Sequence, residues 1–155
     1  MSAIEVGQKH GRTIVFPRTV RRVQEDAFSG RQCLWSVILN EGLEELGGCT
    51  ADDKRYHGGT FNGTQLQRVT ISSTLKVLGD NTFCMCKRLR HVDFEDGSRL
   101  RKIGSNCFFA SGLEEFEAPP SLREIELSAF YICTSLKRVV LNEGLEVLGD
   151  QPDST

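Results

Sequence analysis

The sequence predicts a right-handed solenoid of about six turns, with a parallel β-sheet along one face, built mostly of strand and loop with little helix. Three observations predict it. The ten residues LNEGLEELGG at 39–48 are nearly rewritten as LNEGLEVLGD at 141–150. Leu-x-x-Val-x-Leu stretches recur from starts at Gly11, Leu34, Leu66, Leu89, Leu113 and Leu136, giving a unit of about 23 residues with one longer step of 32. Phe28, Phe61, Phe83, Phe108 and Phe130 then fall in one column of the repeat, which takes up five of the 9 phenylalanines. A period of this length marks turns too small to bury their own apolar side, which must stack on one another.

The third unit, LQRVTISSTLKVLGDNTFCMCKR at 66–88, carries the pattern most plainly, with apolar residues at Leu66, Val69, Ile71, Leu75, Leu78 and Phe83. Val69-x-Ile71 has the period-two spacing of a strand, and stacked copies pair as a parallel sheet with neighbours about 4.8 Å apart. Val69 corresponds to Ile14, Val37, Val92, Phe116 and Val139, and Leu78 to Val23, Leu46, Ile103, Ile125 and Leu148, so each column becomes a rung of the core. Helices fit poorly, because no helical period lasts 10 to 12 residues and glycine interrupts at Gly47, Gly79, Gly104 and Gly149. The repeat domain runs over 11–150. Residues 1–10 precede it as a cap or extension, an insertion of about 48–59 lengthens the second unit, and 151–155 read as a disordered tail. The sixth unit stops before its phenylalanine.

These units resemble the BspA-like, treponemal type of leucine-rich repeat, whose pattern runs Leu-x-x-Ile-x-Leu-Pro, Leu-x-x-Ile-Gly, Ala-Phe-x-x-Cys. The matching pieces in the first unit are Ile14-x-Phe16-Pro17, Val20-x-x-Val23 and Ala27-Phe28. In the fifth they are Phe116-x-Ala118-Pro119, Leu122-x-x-Ile125 and Ala129-Phe130-Tyr131-Ile132-Cys133. The resemblance implies recognition of other proteins, since similar repeats occur both in surface adhesins and in intracellular scaffolds.

A net charge of −2 at pH 7 argues against a field that gathers nucleic acid. No apolar run approaches the roughly 18 residues of a membrane helix. MSAIEVGQKHGRTIVF lacks the basic start and apolar stretch of an export signal, so a cytoplasmic location is expected, or the cell surface if the chain belongs to a longer one. The six cysteines form no C-x-x-C pair. Cys86 and Cys133 share a column two turns apart, about 9 to 10 Å, too far for a disulfide. Cys107 reads as a small buried filler, and Cys49 as the exposed exception. His10, His57 and His91 seed no nucleophile, phosphate or metal motif, so neither enzyme nor cofactor is expected.

Binding is expected on the outer face of the sheet, where alternation leaves the second, third and fifth residues of each unit. Along units three to six the signs complement one another from turn to turn, as in Arg90, Glu114, Lys137 and in Arg68, His91, Glu115, Arg138. That pattern reads as a solvated ladder, in which Glu114, Glu115 and Glu117 are the part that a basic partner would meet. Near the N-terminal end Val15, Trp35 and Ile38 make the face apolar, and the lone tryptophan suits an interface anchor. Residues 1–10 folded over this group would be the alternative. Phe109 and Tyr131 form a lesser aromatic pair. The partner is a protein of unknown identity, with self-association through the uncapped C-terminal end as a further contact. A spacer without a ligand is the competing reading.

Overall fold

A computed structural model describes residues 4–8, 11–47 and 58–149. Residues 48–57 of the insertion, with Cys49 and His57, lie outside the described residues, as do His10 and the 151–155 tail. Two rows of short strands alternate along the chain. The front row comprises β1 (Ile4–Gln8), β2 (Gly11–Val15), β4 (Leu34–Ile38), β6 (Arg68–Ile71), β8 (His91–Phe94), β10 (Glu115–Glu117) and β12 (Arg138–Val140). The back row comprises β3 (Arg22–Val23), β5 (Glu45–Leu46), β7 (Val77–Leu78), β9 (Lys102–Ile103), β11 (Glu124–Ile125) and β13 (Val147–Leu148). No helix occurs among the described residues.

The back row is one parallel sheet of six strands in the order β13-β11-β9-β7-β5-β3. Its inward column is Val23, Leu46, Leu78, Ile103, Ile125 and Leu148, in register from turn to turn. The front row departs from the expected continuous parallel sheet in three places. β1 pairs antiparallel with β2, Ile4 opposite Val15 through Gln8 opposite Gly11, and so closes the N-terminal edge from the side. The β2–β4 register slips between Arg12 and Thr13, so that Arg12 faces Leu34 and Thr13 faces Ser36, leaving Trp35 as the extra residue of a bulge. Between β8 and β10 the sheet divides into a five-stranded and a two-stranded part.

Between the rows lies the core. The phenylalanine column forms a stack, with successive ring centroids from Phe28 through Phe61, Phe83 and Phe108 to Phe130 separated by 5.5 to 5.6 Å and tilted by 9 to 13°. Turn corners repeat as faithfully. Residues two after the ladder phenylalanine take left-handed backbone, at Gly30, Gly63, Met85, Ala110 and Ile132, and those two before it do so at Asp26, Asn81, Asn106 and Ser128 but not at Gly59. The LNEG phrase has its own duty here: the side-chain amide of Asn40 donates to the Phe16 carbonyl and that of Asn142 to the Pro119 carbonyl at 2.7 Å, tying each turn to the one before. Gly42 follows at φ 105° with the Arg18 carbonyl 2.8 Å from where a Cβ would stand, so no other residue fits that corner.

Five turns are complete, and the sixth supplies strands without a phenylalanine rung. Its core-facing Val139 and Leu148 are therefore 44% and 61% exposed, where Val92 and Ile103 in the same columns are buried.

Candidate interaction face

The outer face of the front sheet is laid down by strand alternation: Val69 and Ile71 are buried while Arg68 and Thr70 are exposed, and β10 repeats the pattern with Phe116 buried between Glu115 and Glu117. At the N-terminal end, Val15 and Ile38 lie directly opposite each other on β2 and β4. Ile38 is 49% exposed, and β1, hydrogen-bonded beside β2 in the sheet, does not bury it. Trp35 is the extra residue of the bulge against β2 and is half-buried, with its carbonyl accepting the Gln67 N–H of the next turn at 3.3 Å, so the directly opposed apolar pair on this face is Val15 and Ile38.

The charges on this face pair from turn to turn, along the expected file for Arg90, Glu114 and Lys137 but across files for Arg68 and Arg138. Glu114 bridges two turns, meeting Arg90 at 2.5 Å and Lys137 at 3.4 Å. The hydrogen bond from Arg90, followed by the charge of Lys137, holds its carboxyl below the usual range. Arg68 meets Asp93 at 3.3 Å, His91 lies 4.0 Å from Glu115, and Arg138 lies 3.9 Å from Glu117. Exposed pairs of this kind contribute about 0 to 1 kcal/mol each, so they set the pattern of the surface more than its stability. Of the acidic trio, Glu114 is half-buried and engaged within the ladder, whereas Glu115 and Glu117 remain exposed.

Cys86 and Cys107 belong to the core, and Cys133 packs against it. Cys86 and Cys107 are fully buried; burial pushes the Cys86 thiol up to about 12 and raises that of Cys107 well above its ordinary value. Both are neutral at physiological pH and unreactive. Sequence reasoning missed what the column after the phenylalanine does. Cys86 donates its S–H to the Phe61 carbonyl at 3.1 Å and Cys133 to the Phe108 carbonyl at 2.9 Å. Thr64 and Ser111 stand at the same place in the intervening turns. Alternation of Thr, Cys, Ser and Cys in one column was the available sign. Cys33 is exposed as a free thiol. No group of three His, Cys, Asp or Glu side chains among the described residues is placed to hold a metal ion, and no helix there is long and apolar enough to cross a membrane.

The BspA-type leucine-rich repeat model matches residues 8–50 and 56–152 in 6 copies. Among solved structures, the pneumococcal vaccine antigen PcpA is similar with a TM-score of 0.73 and 24% identity, over 85% of this chain and 31% of that one. A leucine-rich repeat protein from Bacteroides ovatus gives 0.48 and 21% over 88% of this chain and 44% of that one. The leucine-rich repeat protein of T. pallidum gives 0.37 and 18% over 91% and 80%. The chain thus spans less than half the length of the first two. No curated protein matches the sequence. Six copies of one repeat, matched along nearly the whole chain, the first five with their phenylalanines stacked in file, make this chain a member of the BspA-type leucine-rich repeat family.

Proposed function

We propose that the chain is a protein-interaction module that holds a protein partner against the outer face of its front sheet and carries out no catalysis. The observation that carries this reading is the composition of that face: an apolar pair, Val15 and Ile38, at one end and exposed carboxylates, Glu115 and Glu117, toward the other, on a rigid stack of turns. Apolar and charged groups held on a rigid sheet suit recognition of a partner with the opposite arrangement. Affinity capture tests it, with wild-type chain beside a Val15→Glu, Ile38→Glu variant and a Glu115→Lys, Glu117→Lys variant, each folded by circular dichroism. Loss of the captured partner with either variant supports the reading; equal capture by all three leaves the spacer.

Two further points belong to this reading. Exposure of Val139 and Leu148 supports a second contact at the C-terminal end, where a second copy of the chain would cover core columns. Sedimentation then gives a concentration-dependent dimer that Leu148→Lys dissolves, and a monomer at all concentrations removes the contact. A place at a cell surface, as an adhesive part of a longer array, is the alternative to the cytoplasmic scaffold within this reading.

A further inference from the structure

On the front sheet Arg90, Glu114 and Lys137 alternate in sign from turn to turn, but one column beside the back sheet does not alternate. Arg21, Glu44, Lys76, Arg101, Arg123 and Glu146 each stand immediately before a back-row strand. Their backbones are bonded in file: the Lys76 N–H donates to the Glu44 carbonyl at 2.8 Å, that of Arg101 to Lys76 at 2.9 Å, that of Arg123 to Arg101 at 2.9 Å and that of Glu146 to Arg123 at 2.8 Å. Three cations are therefore stacked on successive turns, at the strand spacing of about 4.8 Å. Like charges so placed work against the fold.

The ends of this run are relieved and its middle is not. Lys76 meets Glu44 at 2.8 Å, an acid it shares with Arg21 at 3.0 Å. Arg123 lies 3.8 Å from Glu146, and its Nη1 donates to the Pro120 and Leu122 carbonyls at 2.9 and 3.0 Å. Arg101, and Arg99 two residues before it, are exposed, and among the described residues neither guanidinium has an ion pair or a hydrogen bond.

The surface is concave around these two side chains. An opening of about 600 Å³ is lined by Lys76, Ser98, Arg99, Arg101 and Ser121. Three cations and two hydroxyls make its wall, with no carboxylate, aromatic or large apolar side chain among them. Both hydroxyls are fixed by Leu100: Ser121 Oγ donates to its carbonyl at 2.8 Å, and its N–H donates to Ser98 Oγ at 3.4 Å. Glu124 and Glu146 line the next hollow, toward Arg123, so the uncompensated charge is confined to this one.

We infer that this opening binds a sugar carrying phosphate or sulfate esters, with the ester oxygens held by Arg99, Arg101 and Lys76 and the sugar hydroxyls by Ser98 and Ser121. Guanidinium forks match the paired oxygens of such esters, and their attraction offsets the repulsion within the stack. A wall without aromatic surface offers no platform on which a nucleobase could stack, which sets a nucleic acid aside. The site stands apart from the front face and does not depend on the interaction reading above.

The test is isothermal titration calorimetry of the full chain at low salt, with sucrose octasulfate and fructose 1,6-bisphosphate as probes and sucrose as the uncharged control. At least one charged probe is expected to bind, to weaken as salt rises and to lose at least tenfold with Arg99→Gln, Arg101→Gln; which of the two binds distinguishes sulfate from phosphate. The variant Lys87→Gln, Arg88→Gln removes the same charge from two exposed cations outside the opening, and should change the affinity less than twofold. Without ligand, Arg101→Gln should raise the midpoint of thermal unfolding by relieving the stack, which also shows that the variant is folded. Equal losses from the two double variants would reduce the effect to net charge and overturn the site. Binding of neither charged probe, or of sucrose as tightly as either, would overturn it as well.

Discussion

Ile132 sits at φ +57° and Met85 at φ +56°, in the column where the first two turns place Gly30 and Gly63. A left-handed backbone costs a residue with a Cβ about 1 kcal/mol or more, and a β-branched one is strained further. Each of these side chains is about half exposed and returns little by packing. Ile132→Gly is therefore expected to raise stability by about 1 kcal/mol in urea unfolding, and a loss of stability would contradict the turn assignment. Asp80 is a second residue under constraint: burial raises its pKa although the Ser105 N–H bonds it, and Glu126 adds to the rise. An acid whose folded pKa lies above its unfolded value loses stability as pH rises through that interval. Asp80→Asn should then stabilise the chain at neutral pH, with the gain fading as pH falls through the raised folded pKa and gone below the unfolded value of about 3.9. A pH series of unfolding curves checks the sign. Among thiols, mass-mapped alkylation of native chain should label Cys33 quickly and Cys86 and Cys107 only on unfolding. The sequence placed Cys107 in the core because its column held small residues. It did not show Trp35 at a bulge, because a one-residue slip in pairing leaves the local letters unchanged.

At the scale of the element, the phenylalanine stack is the spine of the solenoid. Phe83 is fully buried between Phe61 and Phe108, with rings 5.6 and 5.5 Å away. Phe83→Ala is expected to cost about 3 to 5 kcal/mol in equilibrium unfolding, since a stack has no slack into which its neighbours can collapse. A change below about 1 kcal/mol would mean that the column does not support the fold. This element was legible in the sequence because one residue type recurs at one spacing. The division of the front sheet was not. Pro119 matched the repeat pattern and so drew no notice; the break needs its missing N–H and the bulk of Phe94 and Phe116 acting at one level, a coincidence that belongs to neighbouring turns and is invisible along a single one.

For the whole molecule, stacking lays the described turns in one file, with β1 paired beside β2 and with Val139, Leu141 and Leu148 more exposed than their counterparts in earlier turns. Period and columns made the solenoid readable from letters alone, since every turn repeats the same solution to burying its apolar side. The interaction face was legible in outline through strand alternation, with the charge ladder read correctly from opposite signs on adjacent turns. Its relief was not legible, for bulge and break arise from pairing between turns. The account's central claim is that partners meet the front sheet. Carboxyl and side-chain footprinting by mass spectrometry, on the chain alone and in complex with a captured partner, tests it most directly. The account predicts protection of Ile38, Glu115 and Glu117 in the complex and unchanged labelling of Glu44 and Glu45 on the back row. Protection of the back row with the front face still labelled would contradict it.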